Sequence, residues 1–314
     1  MIKRETVLVL GAGASNPYNY PLGEGLIQEI YHETINDTGT LHQVLRSLNF
    51  TKEEIINFSN ALIKSQKPSI DAFLEWREDL RRIGKIAIAY TLIKREKDSL
   101  KEFINFNNND NWYKHFYQSL NTNFEDFDQN KFNVITFNYD RSFEQFLLDA
   151  LRNSYNKTID ETASKMKKIK IIHLYGNLDD LPWEKWKNGK KRSYGDIPNG
   201  DELIETSRGI KIIHDPKELR TFQEARKMLD NAERIVFIGL NLLNEENLNR
   251  LNINSYTDHV GGTDRNTKTY GSSYGMTELE MIKVSKYFGG GRIHLGDQND
   301  KSYQFLREMI NFID

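Results

Sequence analysis

The stretch Thr6-Val-Leu-Val-Leu10 runs directly into Gly11-Ala-Gly-Ala-Ser15 near the start of the chain. A short apolar run of this kind is typical of a strand buried on both faces, as in a parallel sheet. Glycines between a strand and a helix let backbone N–H groups approach a phosphate, and the N-terminus of the helix adds partial positive charge. We therefore predict a strand, a phosphate-binding turn and a helix, with a tight turn that binds no ligand as the alternative.

The turn departs from the usual dinucleotide fingerprint in two ways. Asn16 stands where the third glycine of Gly-x-Gly-x-x-Gly would be. The acidic residue that normally ends a second strand is also missing, because Leu22, Leu26 and Ile30 repeat at the spacing of a helix. These differences favour a turn for nucleotide phosphates over an ordinary dehydrogenase site.

Composition excludes several classes of site. The 314 residues include 43 Lys and Arg, 45 Asp and Glu, 7 His and no Cys, for a net charge of −2. Without cysteine there is no disulfide, no Cys-liganded metal and no cysteine nucleophile, and the histidines lack metal-ligand spacing. A balanced charge argues against direct nucleic-acid binding. We read the basic clusters at 165–170 and 185–192 as solvated surface, although lysines beside tryptophans can also bind single strands.

The chain has no apolar run of about 18 residues and no hydrophobic leader, so we expect a cytoplasmic protein without a membrane span.

Further strand signals return after residue 130, separated by helical patterns. This alternation predicts an α/β fold: a Rossmann-like parallel sheet with helices on both faces. The expected later strands cover 133–137, 169–174, 234–239 and 292–295.

The domain prediction follows from the position of the helical block. Residues 1–38 and 126–314 form the sheet domain, and 39–125 form a large helical insertion packed on it. Residues 180–216 and 255–276 are expected to be long loops, which are often lids or binding loops.

Three groups of polar residues follow the later strands. Asn138 and Asp140 come after the strand at 133–137, His173 ends the strand at 169–174, and Gly239 and Asn241 follow the strand at 234–239. The carboxyl ends of parallel strands share an edge of the sheet, where ligands bind. Each group also has a structural alternative, because Asn and Asp cap helices and a histidine on an apolar strand is often a satisfied buried residue.

In this order the motifs resemble the sirtuin family, and more closely its bacterial antiphage-defence NADase branch. Gly-Ala-Gly-x-Ser comes first, Thr-x-Asn-x-Asp follows, then a strand ending in His before a Gly, and then Gly-x-Asn-Leu. Members of the branch also carry Ser-Ile-Asp-x-Phe-Leu, here Ser69 to Leu74. The resemblance spans about residues 10–245 in ordered pieces and implies that the sheet domain binds NAD+.

The resemblance also implies roles for single residues. His173 would be the catalytic base, and Asn138 would orient a water or a ribose hydroxyl near the scissile bond. Asp140 would contact the nicotinamide side, and Asp71, in the insertion, would also bind NAD+. The phosphates and the adenosine-side ribose would be contacted by the remaining candidates: Gly11, Ala12, Gly13, Ser15, Gly239 and Asn241.

Three departures from the protein-deacylating sirtuins stand out. The four-Cys zinc ribbon is missing, and Asn16 to Gly23 replaces the Pro-Asp-Phe-Arg segment. Both differences argue against peptide deacylation. In many relatives the catalytic His directly precedes Gly, whereas here Leu174 and Tyr175 separate His173 from Gly176.

The implied activity is hydrolysis of the nicotinamide–ribose bond of NAD+, which is the substrate, without a metal, to nicotinamide and ADP-ribose or a cyclic form. The implied role is that of an antiphage abortive-infection effector. Regulation would come from homo-oligomerisation or from a partner: a HerA-type ATPase, a short Argonaute module or a phage protein. The alternatives are a noncatalytic NAD+- or ADP-ribose-binding subunit of a defence complex, and a protein ADP-ribosyltransferase or deacylase.

Overall fold

The computed structural model of the chain describes residues 1–187, 189–212, 216–253 and 267–313. Within these ranges a parallel sheet of six strands has the order β3-β2-β1-β4-β5-β6. The predicted α/β Rossmann-like fold is confirmed. The strands are β1 (Thr6–Leu10), β2 (Phe132–Thr136), β3 (Ile171–His173), β4 (Arg234–Ile238), β5 (Lys268–Gly271) and β6 (Ile293–Leu295).

The strand order reverses at β1. From β1 the chain moves outward through β2 to β3, and then returns to the other side of β1 to form β4. Leu10 pairs with Thr136 on one side and with Ile238 on the other, so these three strands end level with one another. In an open parallel sheet, the crevice at such a reversal is where ligands bind.

Helices cover the sheet and fill the long connection between β1 and β2. Within the described ranges they are α1 (Ala12–Ser15), α2 (Gly23–Ile35), α3 (Thr40–Ser47), α4 (Lys52–Lys64), α5 (Ile70–Trp76), α6 (Arg81–Phe103), α7 (Trp112–Ser119), α8 (Ser142–Tyr155), α9 (Ile159–Met166), α10 (Gly200–Arg208), α11 (Pro216–Asp230), α12 (Glu245–Arg250), α13 (Glu278–Tyr287) and α14 (Ser302–Met309). None of these helices is long and apolar enough to cross a membrane.

The predicted insertion, 39–125, holds α3 to α7 and packs closely on the sheet domain. The indole N–H of Trp112 donates to the carbonyl of Ala14 over 2.7 Å, and its ring stacks on Phe143 with the centroids 5.7 Å apart. One continuous hydrophobic core runs through both parts of the chain. The division into two units at 38 and 126 stays a prediction.

A buried ion cluster also joins the insertion to the sheet domain. Glu96 of α6 is fully buried and accepts hydrogen bonds from Arg141 at 3.0 Å and from Arg192 at 2.6 and 2.7 Å. Its carboxylate also accepts from the backbone N–H of Gly195. Buried charges are tolerated when they are paired and hydrogen-bonded in this way. Glu96 therefore fixes α6 against the start of α8 and against the segment before α10.

The strands expected at 6–10, 133–137, 169–174, 234–239 and 292–295 are confirmed, within two residues at each end. The loop prediction for 255–276 is wrong at its end, where β5 completes the sheet. Only Thr269 and Gly271 of β5 are buried, so this short polar strand lacks an apolar run. Residues 254–266 lie outside the described residues.

The loop prediction for 180–216 is wrong for α10. Asn199 caps this helix by accepting from the N–H of Glu202, whose carboxylate accepts from the N–H of Asn199 in return. Leu203 then buries one face, in a helix that packs against α6. The capping pattern Asn-x-x-Glu was the available signal. Residues 188 and 213–215 lie outside the described residues.

The turns after β1 and β4 touch through their backbones. The N–H of Gly13 donates to the carbonyl of Gly239 over 2.9 Å. Gly239 has a φ of +60°, and a Cβ at this position would lie 2.1 Å from the nitrogen of Ala14. A side chain at Gly239 would therefore be strained by its backbone conformation and would also collide with the β1 turn.

We expect Gly239→Ala to lower the free energy of unfolding by about 1–3 kcal/mol more than Gly275→Ala does. Gly275 also has a positive φ, +78°, but a Cβ added there would meet no atom within 4 Å. Gly275→Ala is therefore the control: it has the energetic cost of a positive φ at a non-glycine residue, about 1–2 kcal/mol, but causes no collision. Urea denaturation of both variants measures the difference, and equal losses would contradict a close backbone approach at Gly239.

Candidate ligand-binding cleft

A cleft of about 1450 Å³ opens at the carboxyl ends of the strands. The turns after β1, β2, β4 and β5 form its floor. The helical insertion adds one wall, through the start of α5 and the Asn-rich segment after α6. Of the predicted site residues, the cleft is lined by Gly11, Ala12, Gly13, Asp71, Asn138, Gly239 and Asn241. Ser15, Asp140 and His173 are not among its lining residues.

The glycines of the β1 turn have a packing role. A Cβ on Gly11 would lie 2.5 Å from the carbonyl oxygen of Gly239, and one on Gly13 would lie 2.8 Å from the Cα of Gly239. The space that a side chain would fill is thus taken by the neighbouring turn. The absence of side chains at Gly11 and Gly13 sets the distance between β1 and β4 at the floor of the cleft.

Asn138 links the end of β2 to the β1 turn. Its Nδ2 donates to the carbonyl of Gly11 over 2.9 Å and to the hydroxyl of Ser15 over 3.0 Å. Its backbone N–H donates to the Thr136 hydroxyl over 3.0 Å. Because Nδ2 is used in these bonds, the side chain presents its Oδ1 acceptor as the group available to a ligand.

Asp140 and Ser15 lie behind the turn and hold each other. The Ser15 hydroxyl donates to Asp140 Oδ2 over 2.8 Å, and the backbone N–H and hydroxyl of Ser142 donate to Oδ1. Burial raises the pKa of Asp140, while the hydrogen bonds from Ser142 and Ser15 oppose that shift without cancelling it. The structure places this carboxyl just before α8, where it accepts from the backbone N–H of Ser142, and away from the cleft wall. This position agrees with the structural alternative that Asp140 caps a helix.

His173 is buried, with both ring nitrogens bonded. Nδ1 lies 2.8 Å from the backbone carbonyl of Asn138, and Nε2 lies 2.7 Å from Oε1 of Glu144. A carbonyl can only accept, so Nδ1 carries a proton and donates it. Nε2 faces the carboxyl group of Glu144, with which the charged ring forms an ion pair, so both ring nitrogens are engaged. A ring in this state has no free lone pair with which to act as a base.

The pKa values agree with that ion pair. Burial alone would lower the pKa of His173, but the charge of Glu144 and its hydrogen bond outweigh burial, and the pKa is raised above its usual value. For Glu144, burial acts upward, yet the attraction of His173 prevails and the pKa is lowered. The residue predicted to be the base is therefore one that holds the backbone carbonyl of Asn138, just after β2, and does not line the cleft.

Two tyrosines that were not predicted as site residues from the sequence lie on the cleft wall. Tyr175 directly precedes Gly176 and lines the cleft, and its hydroxyl donates to Asn247 over 2.9 Å. Tyr139 follows Asn138 and donates its hydroxyl to Asp71 Oδ1. The available signal for Tyr175 was its place directly before Gly176, just after the end of β3.

Asp71 brings a carboxylate from the insertion into the cleft. It lies in the first turn of α5, where the Ser69 hydroxyl caps the helix by accepting from the N–H of Ala72 over 3.2 Å. Burial raises the pKa of Asp71, and the hydrogen bond from Tyr139 offsets only part of that shift. A partly buried carboxyl with a raised pKa in a cleft is a candidate acid or base.

The cleft as a whole is acidic. Among the described residues that line it, two are lysines, Lys211 and Lys301. Seven are carboxylic acids, namely Glu24, Asp71, Glu75, Glu102, Asp110, Glu246 and Glu280. Within the described ranges no three His, Asp or Glu side chains come together in a group that could hold a metal ion.

A scan against protein-family models and a search of curated proteins both gave no match for this chain.

The His173–Glu144 pair predicts a pH dependence of stability. Because the pKa of His173 is raised in the folded state, its contribution is complete below its unfolded pKa of about 6.5 and is lost as the pH rises through the folded pKa. We expect the free energy of unfolding of the wild type to decrease over that upper range. His173→Gln should remove this decrease, whereas His32→Gln, at an exposed position, should keep it.

Urea denaturation at a series of pH values between 6 and about 9 measures both variants. His173→Gln should also be less stable than the wild type at pH 6, since it leaves the Glu144 carboxyl buried without its cation. A wild-type stability that stays constant through this range would contradict a charged His173.

Proposed function

We propose that the chain binds NAD+ in the cleft at the carboxyl ends of the sheet and hydrolyses its nicotinamide–ribose bond there. The observation that carries the proposal is the convergence of Gly11, Gly13, Asn138, Gly239 and Asn241 on one cleft at the point where the strand order reverses. This is where open α/β sheets bind nucleotides. The volume exceeds the roughly 300–1,000 Å³ of common ligand pockets, as an extended dinucleotide requires.

The two ends of the cleft suit different parts of NAD+. At the floor of the cleft, the side chains of Asn138 and Asn241 offer amide groups that can bind ribose hydroxyls. Lys211 supplies a cation for the pyrophosphate. The carboxylates on the insertion side favour the nicotinamide end, because its ring is positively charged in NAD+ and that charge passes toward the ribose as the bond breaks.

One observation favours a second candidate function, a noncatalytic NAD+- or ADP-ribose-binding subunit. His173 is sealed behind the cleft with both nitrogens bonded. If hydrolysis needed this histidine as a base, the protein would bind the nucleotide without cleaving it. The two functions share the cleft and differ in their products.

The sirtuin-like motifs extend the proposal beyond the cleft. They support a role as an antiphage effector whose activity is controlled by homo-oligomerisation or by a partner such as a HerA-type ATPase, a short Argonaute module or a phage protein. An enzyme that consumes NAD+ needs such control, since continuous activity would deplete the cell's own cofactor.

The test is NAD+ binding by calorimetry together with nicotinamide release, measured on wild type, Asn138→Ala and His173→Gln. We expect the wild type to bind NAD+ and release nicotinamide. Asn138→Ala should reduce turnover at least about 10-fold, which corresponds to about 1.4 kcal/mol of lost stabilisation. His173→Gln should keep its turnover under conditions where circular dichroism shows it folded, because the ring lies outside the cleft.

Asn153→Ala is the matched control, since Asn153 is an exposed amide on α8 that donates to the carbonyl of Asp149 and lies outside the cleft. Binding without release of nicotinamide, alone and with added partner proteins, would favour the noncatalytic subunit. Absence of binding to both NAD+ and ADP-ribose would reject the cleft as a nucleotide site.

A further inference from the structure

We infer that Asp71, oriented by the Tyr139 hydroxyl, is the base that takes a proton from the water attacking the ribose of NAD+. This inference rests on the proposed function. In the step, the water oxygen forms a bond to C1′ and the C1′–N bond breaks. Its electron pair goes to the nicotinamide nitrogen, which becomes neutral, and the water proton passes to the Asp71 carboxylate and later to solvent.

The first support is the position of Asp71. Its carboxylate and the amide of Asn138 line the same cleft but come from different parts of the chain, the insertion and the end of β2. They are connected through Tyr139, which follows Asn138 directly and donates to Asp71 Oδ1. The carboxylate is therefore bonded to the residue that directly follows Asn138, to which the resemblance assigns a role at the scissile bond.

The second support is the orientation of the pair. The Tyr139 hydroxyl lies 3.4 Å from the backbone carbonyl of Lys211 in addition to its bond to Asp71. Its ring is almost fully buried in the core. A phenol fixed in this way limits the rotation of the carboxyl group that it contacts, so Tyr139 acts as a positioning residue.

The third support is chemical. A base must exist in its unprotonated form and still gain from accepting a proton, so a carboxylate with a raised pKa is better suited than an exposed one. Burial raises the pKa of Asp71 in the direction required. A negative carboxylate near the ribose also stabilises the positive charge that develops there as nicotinamide leaves.

Asp71 also has an ordinary structural explanation that the experiment must exclude. An acidic residue in the first turn of a helix interacts favourably with the helix dipole, and the variants must separate that effect from chemistry. A residue with that role alone would change stability and leave the chemistry of the bound nucleotide unaffected.

The experiment measures nicotinamide release and NAD+ affinity for wild type, Asp71→Asn and Tyr139→Phe. We expect Asp71→Asn to lower kcat by about 100-fold or more, the usual contribution of a general base, while the Kd for NAD+ changes less than about three-fold. Glu53→Gln, an exposed carboxyl-to-amide change in the first turn of α4, is the matched control and should behave as the wild type.

Tyr139→Phe tests the role of Asp71 through the pH dependence of kcat/KM, which a purely structural role of Asp71 would leave unchanged. The base must be deprotonated, so kcat/KM falls as the pH drops through the pKa of Asp71. The hydrogen bond from Tyr139 lowers that pKa. Removal of this hydrogen bond should therefore move the acidic limb of the kcat/KM profile to higher pH. In a separate variant, Asp71→Ala, added formate should replace the missing carboxylate and partly restore turnover.

The outcomes separate the two proposals. Normal turnover by Asp71→Asn in an otherwise active protein would overturn the assignment of Asp71 and leave the hydrolase function intact. A much weaker Kd for NAD+ in a folded Asp71→Asn, with kcat unchanged at saturation, would make Asp71 a binding residue only. A wild type that binds NAD+ and releases no nicotinamide would overturn the hydrolytic function and the base together.

Discussion

The cleft depends on the close approach of two backbone turns, the one after β1 and the one after β4. Gly13 and Gly239 meet without side chains between them, and one N–H donates directly across the gap. This contact joins the two halves of the sheet at the point where the strand order reverses. A Cβ at Gly239 would force the two strand ends apart, and the floor of the cleft would lose its shape.

Polar side chains behind this contact fix the turns in place. The side chain of Asn138 donates to the β1 turn, and Asp140 accepts from Ser15. His173 donates to the backbone carbonyl of Asn138. These bonds are buried or partly buried, so breaking one would leave an unsatisfied donor or acceptor at a cost of about 1–3 kcal/mol. The residue types that suggested chemistry at the strand ends therefore serve in part to hold Asn138, whose amide lines the cleft.

The sequence predicted the fold well because its signals are local. Apolar strands such as Thr6–Leu10 and the helical periodicity between strands determine an α/β sheet, and parallel strands necessarily share one carboxyl edge. The sequence could not distinguish which polar residues of that edge line the cleft. His173 pairs with Glu144, 29 positions away, and only the packing of α8 against β3 brings them together. The strand β5 was missed because burial of Thr269 and Gly271 leaves no apolar pattern.

The sheet and the insertion contribute different kinds of groups to the cleft. The sheet supplies turns whose polar groups are mostly committed to one another, a rigid surface well suited to binding. The insertion supplies Asp71, whose carboxylate is held by Tyr139 and keeps a raised pKa. Glu96 fixes α6 to the sheet domain, and α5, which carries Asp71, packs against α6. The buried contacts of Glu96 with Arg141 and Arg192 thus tie the insertion, and with it the carboxylate of Asp71, to the sheet that forms the rest of the cleft.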